Sequence, residues 1–274
     1  MNLCELSLQF PVQRVATQGG AIAYRRAGQG PVRVLLHGIG SASGSWLRQL
    51  EALKAAHTVL AWEAPGYGQS EPLPMDQPQA QDYGRRVWQW LDALDLPPAP
   101  LTLVGHSLGA LMAAAAAVQR PERVQRLALL SPALGYGRAE PALRESKLAD
   151  RLANLRELGP QGMADKRGAA MLSPTADPAL VAYVKQLMAQ IDPAGYTQAA
   201  QMLAGADLAG LLGAWRGPLL VASGAADTIT PAPACEALAR QAGAPYVSLG
   251  PVGHACALEA ADLINRLLER EDYP

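Results

Sequence analysis

The sequence predicts an α/β protein: a mainly parallel, twisted sheet with helices on both faces and an inserted helical segment. Three observations carry this reading. Short apolar runs alternate with helical patterns from about residue 32 to 130. That rhythm stops at Ser131-Pro132, gives way to helical patterns without a convincing strand, and resumes at Pro218. Finally, Leu101–Val118 joins an apolar strand pattern to an alanine-rich helix pattern through Gly105-His106-Ser107-Leu108-Gly109.

The 274 residues allow one large domain, or a core with an inserted lobe. The expected division is a first core part over 1–132, an inserted helical cap over 133–212 and a second core part over 213–274. A formal net charge of −1 leaves no electrostatic footprint for nucleic acid. No apolar run approaches the roughly 18 residues that span a bilayer, so no membrane partner is expected. The opening Met1-Asn-Leu-Cys-Glu-Leu lacks a basic segment followed by an apolar one, so no secretory signal is expected. Cys4, Cys235 and Cys256 are odd in number and widely spaced, which fits neither a metal pattern nor a disulfide framework; a reducing, cytoplasmic setting is expected.

In chain order, residues 3–15 read as a strand that turns at Gly19-Gly20 into a second strand near Ala21–Arg26, an antiparallel hairpin. Val32–Leu36 is a buried parallel strand. It ends in His37-Gly38-Ile39-Gly40, and a helix follows from about Ser45, its plausible N-cap, to Ala56, with Trp46, Leu50 and Leu53 on one face. Thr58–Trp62 is the next strand and runs into the rigid loop Glu63-Ala-Pro65-Gly66-Tyr67-Gly68-Gln69-Ser70. A helix is expected over about Gln79–Leu94, then the Leu101 strand and its helix, then a strand over Gln125–Leu130. After the insert come a strand at Pro218–Ala222, the turn Gly224–Asp227, a helix near Pro233–Ala242, a strand at Tyr246–Leu249, and a closing helix over about Cys256–Arg270.

Chemistry concentrates at the ends of these strands. Gly105–Gly109 fits G-x-S-x-G, a turn so sharp that its serine is held out at the sheet edge beside a helix N-terminus suited to a developing anion. Ser107 is therefore the candidate nucleophile. A serine needs a base, and the base an orienting carboxylate. Of four histidines, His37 and His106 sit inside turn motifs and read as structural, and His57, at a helix end, reads as exposed. His254, in a glycine-bracketed loop after the last strand, is the only one placed as the base. Asp227 follows a strand and precedes His254, the order of this triad class; Asp207 and Glu140 are rival acids set less cleanly at strand ends. Oxyanion donors are expected from the backbone N–H of Leu108 and from the loop after the earlier strand, Ile39 first and Gly40 second. Met163, Met171 and Met188 in the insert are candidate substrate contacts, since methionine adapts to irregular ligands. The insert's charges read mostly as solvated helix faces.

With these residues assembled, the chain resembles the α/β-hydrolase superfamily, on His37–Gly40, Pro65–Ser70, Gly105–Gly109, Gly224–Asp227 and Gly253-His254. One departure is Glu63, where many relatives carry Asp, at a non-catalytic position. Within the superfamily the insert looks like the cap of the 3-oxoadipate enol-lactonases and of the meta-cleavage-product C–C hydrolases, through Ile191-Asp-Pro-Ala-Gly195-Tyr196 and Ala206-Asp207-Leu208. The resemblance implies a small-molecule substrate, no cofactor, and hydrolysis of a small ester or lactone through an acyl-enzyme. For the anion that an enol-lactonase takes, Arg167 and Arg138 are the candidate cationic contacts. Ser107 stands where haloalkane dehalogenases and epoxide hydrolases place an aspartate, which argues against both. A C–C hydrolase, a cofactor-free perhydrolase, or a small-molecule receptor on the same fold remain as alternatives, because fold alone does not fix function.

Overall fold

The computed structural model describes residues 2–270. The chain begins with helix α1 (Leu3–Gln9), where the sequence pattern suggested a strand. The reason is local. The Asn2 side chain accepts from the Glu5 N–H while the Glu5 carboxylate accepts from the Asn2 N–H, a reciprocal cap that starts a helix. Only Gln13–Val15 (β1) is extended, and it pairs antiparallel with β2 (Ile22–Ala27), so the expected hairpin survives in shortened form.

Strand β3 (Val32–Leu36) leads through a 3₁₀ turn at Ser43–Trp46 into α2 (Leu47–Leu53). Ser45 does not cap that helix; its hydroxyl donates to the Ala42 carbonyl instead. Then come β4 (Thr58–Trp62), α3 (Ala80–Asp92), β5 (Leu101–His106), α4 (Leu108–Gln119) and β6 (Val124–Leu130). Between β6 and β7 (Leu219–Ser223) the described chain holds helices only: α5 (Pro141–Arg167), α6 (Pro178–Ala189), α7 (Pro193–Gly205) and α8 (Leu208–Ala214), with a 3₁₀ turn at Ala169–Met171. Helix α9 (Ala232–Ala242), β8 (Tyr246–Ser248), α10 (Cys256–Glu259) and α11 (Ala261–Glu269) are the remaining elements among the described residues. No described helix is long and apolar enough to cross a membrane.

The eight strands form one sheet in the order β1-β2-β4-β3-β5-β6-β7-β8, antiparallel at β1/β2 and β2/β4 and parallel elsewhere. Successive side chains on a strand face opposite sides, and the two cores follow that alternation. Val34 and Leu36 pack with α3, α4 and α8, whereas Leu35, Val59 and Val104 pack with α1, α2 and α11. Leu35 is wholly buried; truncating such a leucine to alanine costs about 2–5 kcal/mol. The alanine-rich α4 fits here because its small side chains let it sit close under the sheet, with Ala110 and Ala113–Ala117 all buried. Helix α8 packs on α4 and α9, whereas α5 packs on both α6 and α7.

His57 is buried, not exposed. Its Nε2 lies 3.1 Å from the Arg33 guanidinium of β3, a partner distant in sequence. Arg33 in turn donates to the Leu268 carbonyl, tying β3 to α11.

Candidate active site

Ser107 is the single residue between β5 and α4, and its backbone sits at φ 52°, ψ −116°. A non-glycine residue at positive φ is strained, by about 1–3 kcal/mol. Two neighbours make that turn possible by having no side chain. A Cβ on Gly105 would lie 2.4 Å from the Gly109 carbonyl oxygen, and one on Gly109 would lie 2.2 Å from the Leu36 carbonyl oxygen. The turn is locked by the Ser107 N–H, which donates to the Leu130 carbonyl, and by the Ser107 carbonyl, which accepts from Ala110 and Ala133.

Asp227 and His254 meet, as expected from their order in the chain. His254 Nδ1 lies 2.9 Å from Asp227 Oδ2. The other carboxylate oxygen accepts from the backbone N–H of Ile229 and Thr230. Burial alone would raise this carboxyl. The hydrogen bond and charge of His254, with the Thr230 amide and the Ser131 hydroxyl, outweigh it and hold Asp227 well below the usual carboxylate range. Asp227 is therefore ionised at neutral pH, and His254 Nδ1 carries the proton donated to it. The second imidazole nitrogen is thus the one free to accept.

Ser107 and His254 line one cavity of about 310 Å³. Among the described residues the Ser107 hydroxyl makes no hydrogen bond, a common state of a hydrolytic centre without substrate. Ile39, Gly40 and Leu108 line the same cavity, and among the described residues none of their three N–H groups donates to a protein acceptor. Two of the peptides involved are held from behind. The Ala64 N–H donates to His37 Nε2, so the His37 proton sits on Nδ1 and donates to the Gly38 carbonyl at 2.8 Å. In a trans peptide the Ile39 N–H points opposite to that carbonyl. In the same way the Tyr67 hydroxyl donates to the Ile39 carbonyl at 2.6 Å and fixes the Gly40 N–H. His37 stays neutral, since burial lowers its pKa to about 4 despite the Gly38 contact.

His106, also read as structural, donates from Nε2 to the carbonyl of His254 at 2.7 Å and packs tilted against its ring, with centroids 4.8 Å apart. It too is neutral, its pKa lowered to about 3 chiefly by burial. Three residues stand at the site without having been candidates for it in the sequence reading. Thr230 places its hydroxyl 2.9 Å from Asp227 Oδ2, 3.0 Å from the Ser131 carbonyl and 3.2 Å from His254 Nδ1. Its only sequence signal is its closeness to Asp227. Ser131, at φ 44°, is the other non-glycine residue at positive φ among those described, and it sits directly after β6 where the insert departs. Arg151 is the third and is taken up below. The three cysteines are free. Burial pushes the Cys235 and Cys256 thiols up to about 11 and about 12, so neither competes as a thiolate nucleophile.

The insert supplies much of the cavity wall. Met163, Met171 and Met188 all line it, and a Cβ on Gly40 would lie 3.2 Å from the Met188 methyl. Of the two arginines singled out, Arg167 lines the cavity, while Arg138 pairs at the surface with Asp207 at 2.6 Å. Asp207 itself caps α8, its carboxylate accepting from the Gly210 N–H. The rival acid Glu140 stands at the exposed start of α5. The buried Ser43 and Glu63 and the partly buried Arg25 form a polar group, in which Ser43 donates to the Glu63 carboxylate. Glu63 thus serves a structural role, consistent with its being a tolerated departure.

The family model for the alpha/beta hydrolase fold matches residues 31–261. A curated relative, an (E)-2-((N-methylformamido)methylene)succinate hydrolase of Acinetobacter baylyi, is 35% identical over 108 residues, which are 39% of this chain and 40% of that one. A 2-hydroxy-6-oxo-6-phenylhexa-2,4-dienoate hydrolase of Comamonas testosteroni is 31% identical over 115 residues, 40% of each chain. The match thus spans about 40% of the length of these curated relatives. The solved structure of the enol-lactonase from Burkholderia xenovorans LB400 superposes with a TM-score of 0.82 at 26% identity, covering 93% of this chain and 98% of that one.

Proposed function

From the premise that the chain belongs to the α/β-hydrolase family, we propose that it is a serine hydrolase of small carboxylic esters or lactones. Ser107 is the nucleophile, His254 the base and Asp227 its orienting acid. The single observation that carries this reading is the buried His254–Asp227 hydrogen bond of 2.9 Å beside the cavity that the strained Ser107 shares with His254. The enol-lactonase and the succinate hydrolase among the similar proteins support the class of reaction.

In this mechanism the Ser107 oxygen attacks the substrate carbonyl while His254 accepts its proton. The oxygen of the tetrahedral intermediate receives hydrogen bonds from the N–H groups of Leu108 and Ile39, with Gly40 beside them. Donors already oriented need no rearrangement as the charge forms, and one such donor is worth about 2.7–4 kcal/mol in a serine protease of unrelated fold. The imidazolium, stabilised by the Asp227 carboxylate, returns the proton to the departing alkoxide and leaves an acyl-Ser107. A water molecule then gives its proton to His254 and attacks the acyl carbon, releasing the acid and restoring the serine. Residues 133–212 act as a cap that excludes water and shapes substrate choice, supported by the place of Met163, Met171 and Met188 in the cavity wall.

The test is Ser107→Ala against a panel of short methyl esters and lactones. Loss of the nucleophile costs about 10⁶ in kcat in a comparable enzyme, so turnover should vanish while the far-ultraviolet spectrum and Tm stay near wild type. Retention of even a tenth of the activity assigns the nucleophile elsewhere.

A further inference from the structure

We infer that the cavity recognises an anionic substrate group, a carboxylate, through Arg151 and Arg167. The inference rests on the hydrolase reading and narrows its substrate class. Among the residues lining the cavity are two arginines and no aspartate, glutamate or lysine. Both arginines are partly buried. Among the described residues neither makes an ion pair or hydrogen bond with another side chain or with the backbone, unlike Arg138, which is matched by Asp207. A cation drawn away from water without a partner is costly, and a second like charge on the same wall adds repulsion. An entering anion relieves both. The guanidinium fork also matches a carboxylate in two-point hydrogen bonding.

The chain is bent to bring the two together. Arg151 and Arg167 both belong to α5, sixteen residues apart. On an unbroken helix that separation is about 24 Å, at 1.5 Å per residue, which is too far for one small cavity. The helix is broken at Gly159-Pro160. Gly159 adopts φ 61°, ψ 178°, a conformation open to glycine, and proline cannot continue the hydrogen-bond ladder. The two halves fold toward each other, as Lys166 Nζ donates to Asn154 Oδ1 at 3.1 Å across the break. Leu155 from one half and Met163 from the other are both buried under the fold. Much of the remaining wall is apolar, including Leu187, Met188 and Leu203, with Ser41, Ser45, Tyr136 and Thr230 among its polar members. The site therefore fits a short aliphatic acyl chain ending in a carboxylate, with the scissile carbonyl at Ser107.

The experiment compares methyl esters of butyric to hexanoic acid with the monomethyl esters of succinic to adipic acid, matched in acyl length, by acid release. Wild type should favour the charged series in kcat/KM. Arg151→Gln and Arg167→Gln should each lower the charged-to-neutral ratio roughly 10- to 100-fold, the span expected for a charge-assisted hydrogen bond. Arg167→Lys should recover only part of it. In parallel, the corresponding free dicarboxylates are titrated calorimetrically into Ser107→Ala, with and without Arg151→Gln and Arg167→Gln. Binding that disappears with the arginines supports the inference even if none of the chosen esters is turned over, an outcome that counts against the hydrolase reading alone. Turnover of both series with an unchanged ratio in the arginine variants overturns the anion site and leaves the hydrolase reading standing. Binding of the dicarboxylates that persists without the arginines overturns it as well.

Discussion

Asp227 and Asp207 are both acids after the elbow and before His254, yet their surroundings differ in kind. Asp227 is buried and receives hydrogen bonds from two amides, the Thr230 hydroxyl and His254. Asp207 is part-exposed, caps α8 and pairs with Arg138. Asp227→Asn should lower kcat by about 10⁴, as it does in a serine protease triad where the amide selects the wrong tautomer. Asp207→Asn should cost at most the roughly 0.5–2 kcal/mol of a helix cap with kcat near wild type. Steady-state kinetics and thermal melts of the two variants separate the roles; a larger kcat loss at Asp207 reverses them. Thr230 has one hydroxyl proton and two acceptors, Asp227 Oδ2 and the Ser131 carbonyl. Thr230→Val should reduce kcat by about tenfold, with Thr230→Ser restoring most of it, because a neutral hydrogen bond is worth roughly 1 kcal/mol and a charged one more. An equal loss in both variants would make the methyl group, not the hydroxyl, responsible. At this scale the sequence was informative for Ser107, Asp227 and His254, since each follows a strand in a recognisable turn. It was silent on Thr230 and misleading on His57, because what decides both is a partner brought in from a distant element.

Helix α5 illustrates what is legible at the level of elements. Its amphipathic pattern is weak, and reading the insert's charges mostly as solvated helix faces hides the inward turn of Arg151, whereas Arg167 stands out through the resemblance. The signal that was available is the Gly159-Pro160 pair, a helix breaker in any sequence. The same holds for α1, where Asn2 and Glu5 spell a helix start that strand-like alternation over 3–15 concealed. Strands β3 to β7, by contrast, are mainly apolar runs because both faces of a parallel sheet are covered, and the expected boundaries fall within a residue or two of those observed. The insert offers its own test. Met163 and Met188 are buried, and Met171 holds the His254 loop through its carbonyl, which accepts from the Ala255 N–H. Single replacement of Met163, Met171 or Met188 by Ala should shift the kcat/KM preference among acyl lengths toward longer chains, by roughly 1–3 kcal/mol for each methylene of space gained. If none of the three alters the order of preference across a series of straight-chain esters from acetate to octanoate, the insert does not set substrate choice.

For the molecule as a whole, two buried histidines that orient the site also set how stability varies with pH. His37 and His106 have pKa values of about 4 and about 3, below the ordinary 6.5, because burial penalises their charged forms. Between those values and about 6.5 the unfolded chain binds protons that the folded chain does not, so stability rises with pH across that window and falls as acid is added. Each histidine contributes about 1.4 kcal/mol per pH unit while the difference lasts. Glu63, whose carboxyl is raised by burial, acts in the opposite sense above its ordinary pKa and offsets part of this slope. Asp227, held low, adds a second loss once pH falls below the range in which an unfolded aspartate ionises. The free energy of unfolding, from urea titrations between about pH 4 and 7, should therefore climb by several kcal/mol up to about pH 6.5 and then flatten. His106→Gln retains a donor for the His254 carbonyl but no ionisable ring, so it should remove about half of the climb without abolishing folding. The complementary variant, Glu63→Gln, should steepen it. A flat profile across that range in Glu63→Gln as well as in wild type would mean that both rings take up protons alike in the folded and unfolded chain, against the Ala64 N–H that occupies His37 Nε2.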